Sequence, residues 1–322
     1  MGCRDIRRIR NPECGPPLTE RSAIERRIAE ADEILRRLDI SLFHGLHAGI
    51  AANPDQIRQI VRIHGELFSR VVGLKLYAGH SAGSMGVTRI SDQFGVWKTL
   101  AKLGYRGLVA VHAESQELLQ PELRNLMRPE IHGVSRPPLS EVAATQSQLA
   151  LAEAAGFRGN IHFCHVSLSD SLRLIRSQQR GFLFSVTIGV TPHHFILNKS
   201  QAARSVLLSV NPPIRDERNR DLMFQHVLRG DVNWIETDHA PHAVVDKLRG
   251  ASGLPGFAVL RLLFDRFEKL GLFASNFAKT GADAICGAYG IDGSAFAMNE
   301  ELSDYYELAA EYPWNPYAGM AS

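Results

Sequence analysis

From about residue 40 onward, short runs of apolar and β-branched residues alternate with segments of helical character. The runs have the length and composition of buried strands, and many of the segments between them end at a glycine. Six strands are predicted, at Leu42–Leu46, Val71–Tyr77, Gly107–His112, Asn160–Val166, Phe182–Ile188 and Val232–Thr237.

Helices are predicted before, between and after these strands. Asn53 followed by Pro54 is typical of a helix start, because asparagine caps the free backbone N–H groups and proline suits the first helical position. Gly156, Gly181 and Gly230 each follow a predicted helix, where glycine is favoured. The predicted helices are Thr19–Leu38, capped by Thr19, and those near residues 54–69, 91–103, 140–155, 169–180, 216–229 and 256–270.

This alternation predicts an α/β fold in which helices cover a parallel sheet, either open or closed into a barrel. Long loops, at residues 113–139 and 189–215, follow strands at one end, which favours a (β/α) barrel with its functional face there. Six strand–helix units are clear, whereas a closed barrel has eight. Asp5–Arg10 is a poor candidate for one more strand, and from Gly281 onward the alternation is lost.

Composition excludes several classes of protein. Lys and Arg number 36 against 34 Asp and Glu, a net charge of +2, so there is no electrostatic reason to expect a nucleic-acid or anionic-membrane partner. No apolar stretch approaches the roughly 18 residues of a membrane helix. The four cysteines are scattered without a Cys-x-x-Cys pair, which indicates reduced thiols and a cytoplasmic protein. A small anionic substrate remains compatible with this balance.

Four polar residues lie at or just past the ends of predicted strands: Lys75, His112, His165 and Asp238. On a barrel such positions meet at one mouth, and His and Asp are standard zinc ligands. Each has a simpler interpretation: a strand-end histidine can be a core residue, Lys75 can pair with a carboxylate, and Asp238 can cap a turn. Four such residues at equivalent strand ends favour a site.

Six segments resemble signatures of the amidohydrolase superfamily, most closely the dihydroorotases, over about Asn11 to Ile291. They are Gly73-Leu-Lys-Leu-Tyr-Ala, Ile161-His-Phe-Cys-His-Val-Ser, Val190-Thr-Pro-His-His, Val210-Asn-Pro-Pro-Ile-Arg, Thr237-Asp-His-Ala-Pro-His and Ser252-Gly-Leu-Pro-Gly. The resemblance implies a (β/α)8 TIM-like barrel that catalyses the reversible cyclisation of N-carbamoyl-L-aspartate to dihydroorotate in de novo pyrimidine synthesis.

The resemblance also implies roles for individual residues. Lys75 would carry a CO2-derived carbamate that bridges two Zn²⁺ ions, with His112, His165 and Asp238 as further metal ligands. Asp238 would also be the general base. The remaining positions would hold the substrate ring: Asn211, His242 and the backbone of Pro255 and Gly256.

The sequence departs from the family pattern at its N-terminal end. No His-x-His pair precedes Lys75, and His44 and His47 have the wrong spacing to replace one. Glu13 stands where the family has a substrate-binding asparagine. We therefore expect a barrel (residues 1–290) that lacks its first strand or strands, with residues 291–322 as a tail left from the accessory region. On this basis one zinc would be lost and the chain alone would be a weak or inactive hydrolase.

Two other functions remain open. A hydantoinase or allantoinase would use the same scaffold, although the Tyr77 context and the Asn-Pro-Pro and Gly-Leu-Pro-Gly segments favour dihydroorotase. An inactive homologue with a structural role is favoured by the missing His-x-His pair. Metal content separates these: about two zinc ions per chain indicate an enzyme, and none indicates a scaffold. A homo-oligomer is a further expectation.

Overall fold

The computed structural model describes residues 17–39, 44–81, 83–271, 283–292 and 314–317. Its strands all pair in parallel, which confirms the predicted α/β class. They are β1 (Leu46–Gly49), β2 (Val71–Ala78), β3 (Gly86–Val87), β4 (Leu108–Ala113), β5 (Asn160–Phe163), β6 (Ser185–Val190) and β7 (Trp234–Ile235).

The strands follow one another across the sheet in chain order, β1-β2-β4-β5-β6-β7, with the short β3 beside the end of β2. A parallel sheet that never reverses its strand order is the arrangement of a singly wound barrel, whereas doubly wound sheets reverse at a switch point. Within the described ranges β1 and β7 do not pair with each other, so the sheet they bound is open.

The helices are α1 (Arg21–Leu38), α2 (Pro54–Glu66), α3 (Ile90–Lys102), α4 (Ile131–Ser135), α5 (Pro138–Ala154), α6 (Ser169–Gln178), α7 (Pro192–Ile196), α8 (Lys199–Ala202), α9 (Glu217–Leu228), α10 (Val244–Leu248) and α11 (Leu260–Lys269). All seven predicted helices are present. The Asn53 side chain accepts hydrogen bonds from the first turn of α2, as expected of a cap. Thr19 is not a cap, because α1 begins after Glu20.

The first predicted strand is displaced. Strand β1 covers Leu46–Gly49, whereas the prediction was Leu42–Leu46, and residues 40–43 lie outside the described residues. The sequence of β1, Leu-His-Ala-Gly, has little intrinsic strand preference, so its pairing with β2 decides the conformation. Strand β2 continues to Ala78, which places Lys75 in the middle of the strand and not at its end.

The register sorts polar and apolar side chains onto opposite faces. Lys75 is paired with Ala110, Ala110 with His162, and His162 with Thr187, so these residues share one face, called here the inner face. The alternate residues form an outer face that packs against the helices as the hydrophobic core. That outer face is apolar and buried: Leu74, Leu76, Val109, Val111, Ile161, Phe163 and Ile188. The sheet therefore separates the hydrophobic core on its outer face from the polar side chains on its inner face.

Several sequence predictions fall outside the described residues. These include Asp5–Arg10, Glu13 and most of the segment 291–322, so the division at residue 290 stays a prediction. None of the helices in the described part of the chain is long and apolar enough to cross a bilayer.

Candidate active site

His112 and His165 meet where β4 and β5 end. His112 lies on the inner face of β4, and its Nδ1 is 3.1 Å from His165 Nε2. Strict alternation would turn His165 to the outer face, but its backbone has φ 41°, which is uncommon for a residue with a side chain. This left-handed conformation brings the second imidazole back to the first. Both histidines are buried.

The outward nitrogen of each ring has no hydrogen-bond partner. His112 Nε2 lies 3.1 Å from Glu114 Oε2 without hydrogen-bond geometry, and His165 Nδ1 has no partner at all. A buried polar atom without a partner costs free energy and demands an explanation. The two nitrogens that face each other, His112 Nδ1 and His165 Nε2, are 3.1 Å apart, close to the spacing of two ligands on one zinc ion, so this pair fits a metal.

A buried ion pair supports His112 from behind. The carboxylate of Glu114 accepts hydrogen bonds from Arg136, which also donates to the His80 carbonyl oxygen at 2.8 Å. Burial alone would raise the pKa of Glu114, but Arg136 and His112 outweigh it and hold the pKa below its usual range. The pair is therefore charged and fixes one side of the His112 ring.

Lys75 reaches from the middle of β2 toward β5. Its Nζ donates to Cys164 Sγ at 3.0 Å and lies 5.2 Å from the Tyr77 ring centroid. Burial works to lower the pKa of this amine, but Cys164, Tyr77 and Glu236 outweigh it and hold the pKa above its usual value. An ammonium would repel a bound cation, so Lys75 suits a metal site only as its anionic carbamate.

Asp238 follows β7 with a left-handed backbone, φ 43°. Burial raises the pKa of its carboxyl to about 6; Glu236 adds to the rise and Lys75 opposes it. After burial, the charge of Lys75 also contributes to the lowered pKa values of His112 and His165. The four residues predicted as ligands therefore share one electrostatic neighbourhood, and their roles stay predictions.

The predicted substrate residues come from three loops around this end of the sheet. Asn211 lines a cavity of about 520 Å³ together with Arg124 and Ser252, and its Oδ1 is buried without a hydrogen-bond partner. His242 Nε2 lies 3.2 Å from the Ser252 carbonyl oxygen. All four predicted metal ligands are described residues, and none of them lines this cavity.

Gly256 shows why the Pro255-Gly256 segment needs a glycine. A Cβ atom there would lie 2.1 Å from the Thr237 carbonyl oxygen, immediately before Asp238. Only a residue without a side chain allows this approach of two backbones. The segment thus packs directly against the end of β7.

Sequence reasoning missed Glu236, together with His162 on β5 and Cys164 directly after it. His162 Nε2 is 3.0 Å from Glu236 Oε2, and Cys164 carries the sulfur that Lys75 contacts. A signal was present: Glu236 stands two residues before Asp238, and strand alternation puts both on one face. A charged residue inside a predicted strand is the pattern that could have found it.

His44 and His47 do not form a common site. His47 lies on the inner face of β1, with Nε2 3.0 Å from the Tyr289 hydroxyl oxygen. His44 instead contacts Arg70 outside that face. Their separation agrees with the expectation that the pair does not replace a His-x-His motif.

No family model matches this chain. The dihydroorotase of Pyrococcus abyssi is 34% identical over 198 residues, which are 61% of this chain and 42% of that protein. The dihydroorotase of Pyrococcus horikoshii is 37% identical over 165 residues, 50% of this chain and 35% of that protein. The chain is therefore similar to dihydroorotases over part of its length. It spans less than half the length of these curated dihydroorotases.

Solved structures share the fold. An L-hydantoinase from Arthrobacter aurescens has a TM-score of 0.67 at 21% identity, over 85% of this chain and 61% of that one. A dihydroorotase from Saccharomyces cerevisiae in complex with 5-fluoroorotic acid has a TM-score of 0.59 at 15% identity, over 83% and 72%. These likenesses confirm the predicted (β/α) barrel fold for the covered part of the chain.

Proposed function

We propose that this protein is a zinc-dependent hydrolase of cyclic amide C–N bonds, acting as a dihydroorotase that interconverts N-carbamoyl-L-aspartate and dihydroorotate. The close approach of His112 Nδ1 and His165 Nε2, 3.1 Å apart, gives this proposal its most direct support. The charge of Lys75 acts on both histidines and on Asp238. The carbamate of Lys75, the two histidines and Asp238 would hold the zinc. Relatives at 32–37% identity, all dihydroorotases, support the choice of substrate.

Bound zinc would polarise the ring amide carbonyl and lower the pKa of water. Asp238 would take the proton of the attacking water on a carboxylate oxygen and pass it to the ring nitrogen as the C–N bond breaks. In the cyclising direction the same carboxylate would remove the proton from the attacking nitrogen. Glu114 and Arg136 would keep the His112 ring oriented during this cycle.

The cavity beside the site suits a small anion. Arg124 lines it and donates to the Gly250 carbonyl oxygen and to Ser252 Oγ, the latter at 3.3 Å. A guanidinium can bind a carboxylate in a bidentate manner. Asn211 lines the same cavity, and its buried Oδ1 has no hydrogen-bond partner. We infer that Arg124 binds a substrate carboxylate, with Asn211, His242 and the Pro255-Gly256 backbone around the ring.

The test is turnover measured together with metal content. Protein purified with zinc and bicarbonate is assayed for cyclisation of N-carbamoyl-L-aspartate and for hydrolysis of dihydroorotate, hydantoin and allantoin. Dihydroorotate turnover well above the other two, with zinc bound, is the expected result. Preferred turnover of hydantoin or allantoin would assign the alternative enzyme. A folded, zinc-free protein without any turnover would establish the inactive homologue with a structural role.

Other predictions about the whole protein remain as the sequence states them. These are a cytoplasmic location, no nucleic-acid or membrane partner, and a homo-oligomer. Size-exclusion chromatography with light scattering measures the last directly.

A further inference from the structure

A second group of potential metal ligands lies on the inner face, below His112 and His165. It consists of His162, Cys164 and Glu236, whose ligand atoms all lie within 4.8 Å of one another. None of the three belongs to the predicted set of Lys75, His112, His165 and Asp238. His162 lies on β5, Cys164 directly follows it, and Glu236 directly follows β7; the two strands are separated in the sheet by β6.

A glycine on β6 makes this meeting possible. Gly189 pairs with Trp234, so its missing side chain would point to the same face as Glu236. A Cβ atom on Gly189 would lie 2.6 Å from the carboxyl carbon of Glu236. The glutamate side chain therefore crosses β6 above Gly189, and one of its oxygens accepts a hydrogen bond from the His165 backbone N–H.

The His162 ring is held with one nitrogen toward the centre of the group. Its Nδ1 lies 3.1 Å from Thr187 Oγ1, and the ring stacks on Trp234 at a centroid distance of 4.3 Å. Nε2 is then left to face Glu236 Oε2 at 3.0 Å. A polar partner on the far nitrogen is the usual arrangement behind a metal-bound histidine.

We propose that His162, Cys164 and Glu236 form a binding site for Zn²⁺ or another borderline-soft divalent ion. Zinc bonds of about 2.0–2.3 Å put tetrahedral ligand atoms roughly 3.3–3.8 Å apart, a spacing this group reaches with small side-chain movements. A thiolate beside an imidazole and a carboxylate favours zinc or cobalt over magnesium or calcium, which select oxygen. A metal ion binds cysteine as the thiolate, and any proton displaced on binding passes to solvent.

The neighbouring Lys75 sets a condition on this site. Its Nζ contacts Cys164 Sγ, and as an ammonium it would oppose a cation at the group. The carbamate of the proposed function reverses that charge, and to this extent the inference rests on the proposed function. Metal binding is therefore measured in bicarbonate buffer.

The experiment is a Co²⁺ titration of the metal-free protein. Lys75, His112, His165 and Asp238 offer only nitrogen and oxygen, so a thiolate-to-cobalt charge-transfer absorption in the near ultraviolet cannot come from them. We expect the absorption to appear, to disappear in Cys164→Ser and to survive in the matched Cys286→Ser. It should also survive in His165→Gln, while the total cobalt bound falls.

An X-ray absorption measurement on the unmodified zinc protein covers the case in which Cys164→Ser does not fold. A sulfur neighbour at about 2.3 Å from zinc is expected beside nitrogen and oxygen neighbours. Bound metal with nitrogen and oxygen neighbours alone, or a charge-transfer absorption that survives Cys164→Ser, would overturn the inference and leave the proposed function intact. No metal bound under any condition would overturn both.

Discussion

Two buried polar clusters lie close together in this protein and differ in how completely their atoms are paired. In the first, Glu141 accepts hydrogen bonds from the backbone of Ser167 and Leu168, both at 3.1 Å, and faces Arg215. Arg215 in turn donates to Ser167 Oγ and to the Arg136 carbonyl oxygen, both at 2.9 Å. The second cluster, around His112 and His165, leaves two ring nitrogens without partners.

This difference in pairing distinguishes a cluster that supports the fold from one that can bind a ligand. A polar group that is buried and fully paired supports the fold, whereas one that is buried and unpaired costs stability unless a ligand completes it. Arg215 ends the Val210-Asn-Pro-Pro-Ile-Arg segment, yet its contacts tie that loop to α5 and to the segment after β5. A residue of a family signature can therefore stabilise the fold next to a site without belonging to the site.

The largest effect is expected for Asp238→Asn. The amide can still offer an oxygen to zinc but cannot accept a proton, so turnover should fall by about 10²–10⁴-fold while much of the metal remains. Steady-state cyclisation of N-carbamoyl-L-aspartate, with zinc analysis of the same samples, measures both. The exposed Asp170→Asn on α6 is the control and should match the parent. Turnover of Asp238→Asn within a few-fold of the parent would refute the proton-transfer role.

Arg215→Met should be the most damaging change to stability. It leaves the buried Glu141 carboxylate without its cation, and breaking a buried ion pair typically costs about 3–5 kcal/mol. Urea denaturation measures the change in the free energy of unfolding. The matched Arg62→Met removes a solvent-exposed pair with Glu66 and should cost much less. Equal losses in the two variants would show that the buried cluster has no structural role.

Lys247 tests whether a buried cation that is paired only with backbone carbonyl groups contributes to stability. Its Nζ donates to the carbonyl oxygens of Ser209 and Gly253, at 2.6 and 2.9 Å. Burial lowers its pKa to about 7, with Arg124 adding to the effect. Between pH 7 and about 10 the unfolded chain then binds more protons than the folded one, so stability rises with pH.

The measurement is the free energy of unfolding at pH 7.5 and 9.5. The parent should gain about 2 kcal/mol more over this interval than Lys247→Met, in which the titrating group is absent. The exposed Lys102→Met serves as the control and should keep the full rise. A parent curve parallel to that of Lys247→Met would mean that the folded protein keeps Lys247 charged.

The smallest change in stability is expected for His165→Gln in the metal-free protein. The amide can still pair with His112 Nδ1, and the partnerless Nδ1 of His165 is removed, so unfolding should change by less than about 1 kcal/mol. Zinc content should fall in the same variant. A loss of several kcal/mol without any loss of zinc would mean that His165 supports the fold and does not bind the metal.

The fold was largely predictable from the sequence because its signals are local. Helix α2 is predicted by Asn53 and Pro54 at its start, and β2 is predicted by the apolar residues on both sides of Lys75. Strand β1 was misplaced because its residues have little strand preference and their conformation depends on pairing with β2. The residues of β1 alone do not show that this segment pairs with β2.

The site was predictable only in part, for a related reason. Lys75, His112, His165 and Asp238 are recognisable by their positions relative to the strands. Glu236 is not, because its contact with His162 joins strands on either side of β6 and needs the space left by Gly189. A contact between strands that are not neighbours depends on the strand register and on a glycine that leaves space between them. Neither can be read from a single sequence.

The two-faced sheet described above also limits how this chain can change in length. One residue inserted or deleted inside β4 would move Val111 to the inner face and turn His112 toward the packing against α5. One such event would disrupt the core and the site together, whereas a substitution affects a single face. Natural length variation is therefore expected in connecting segments such as residues 114–137, while the strands between them change by substitution alone.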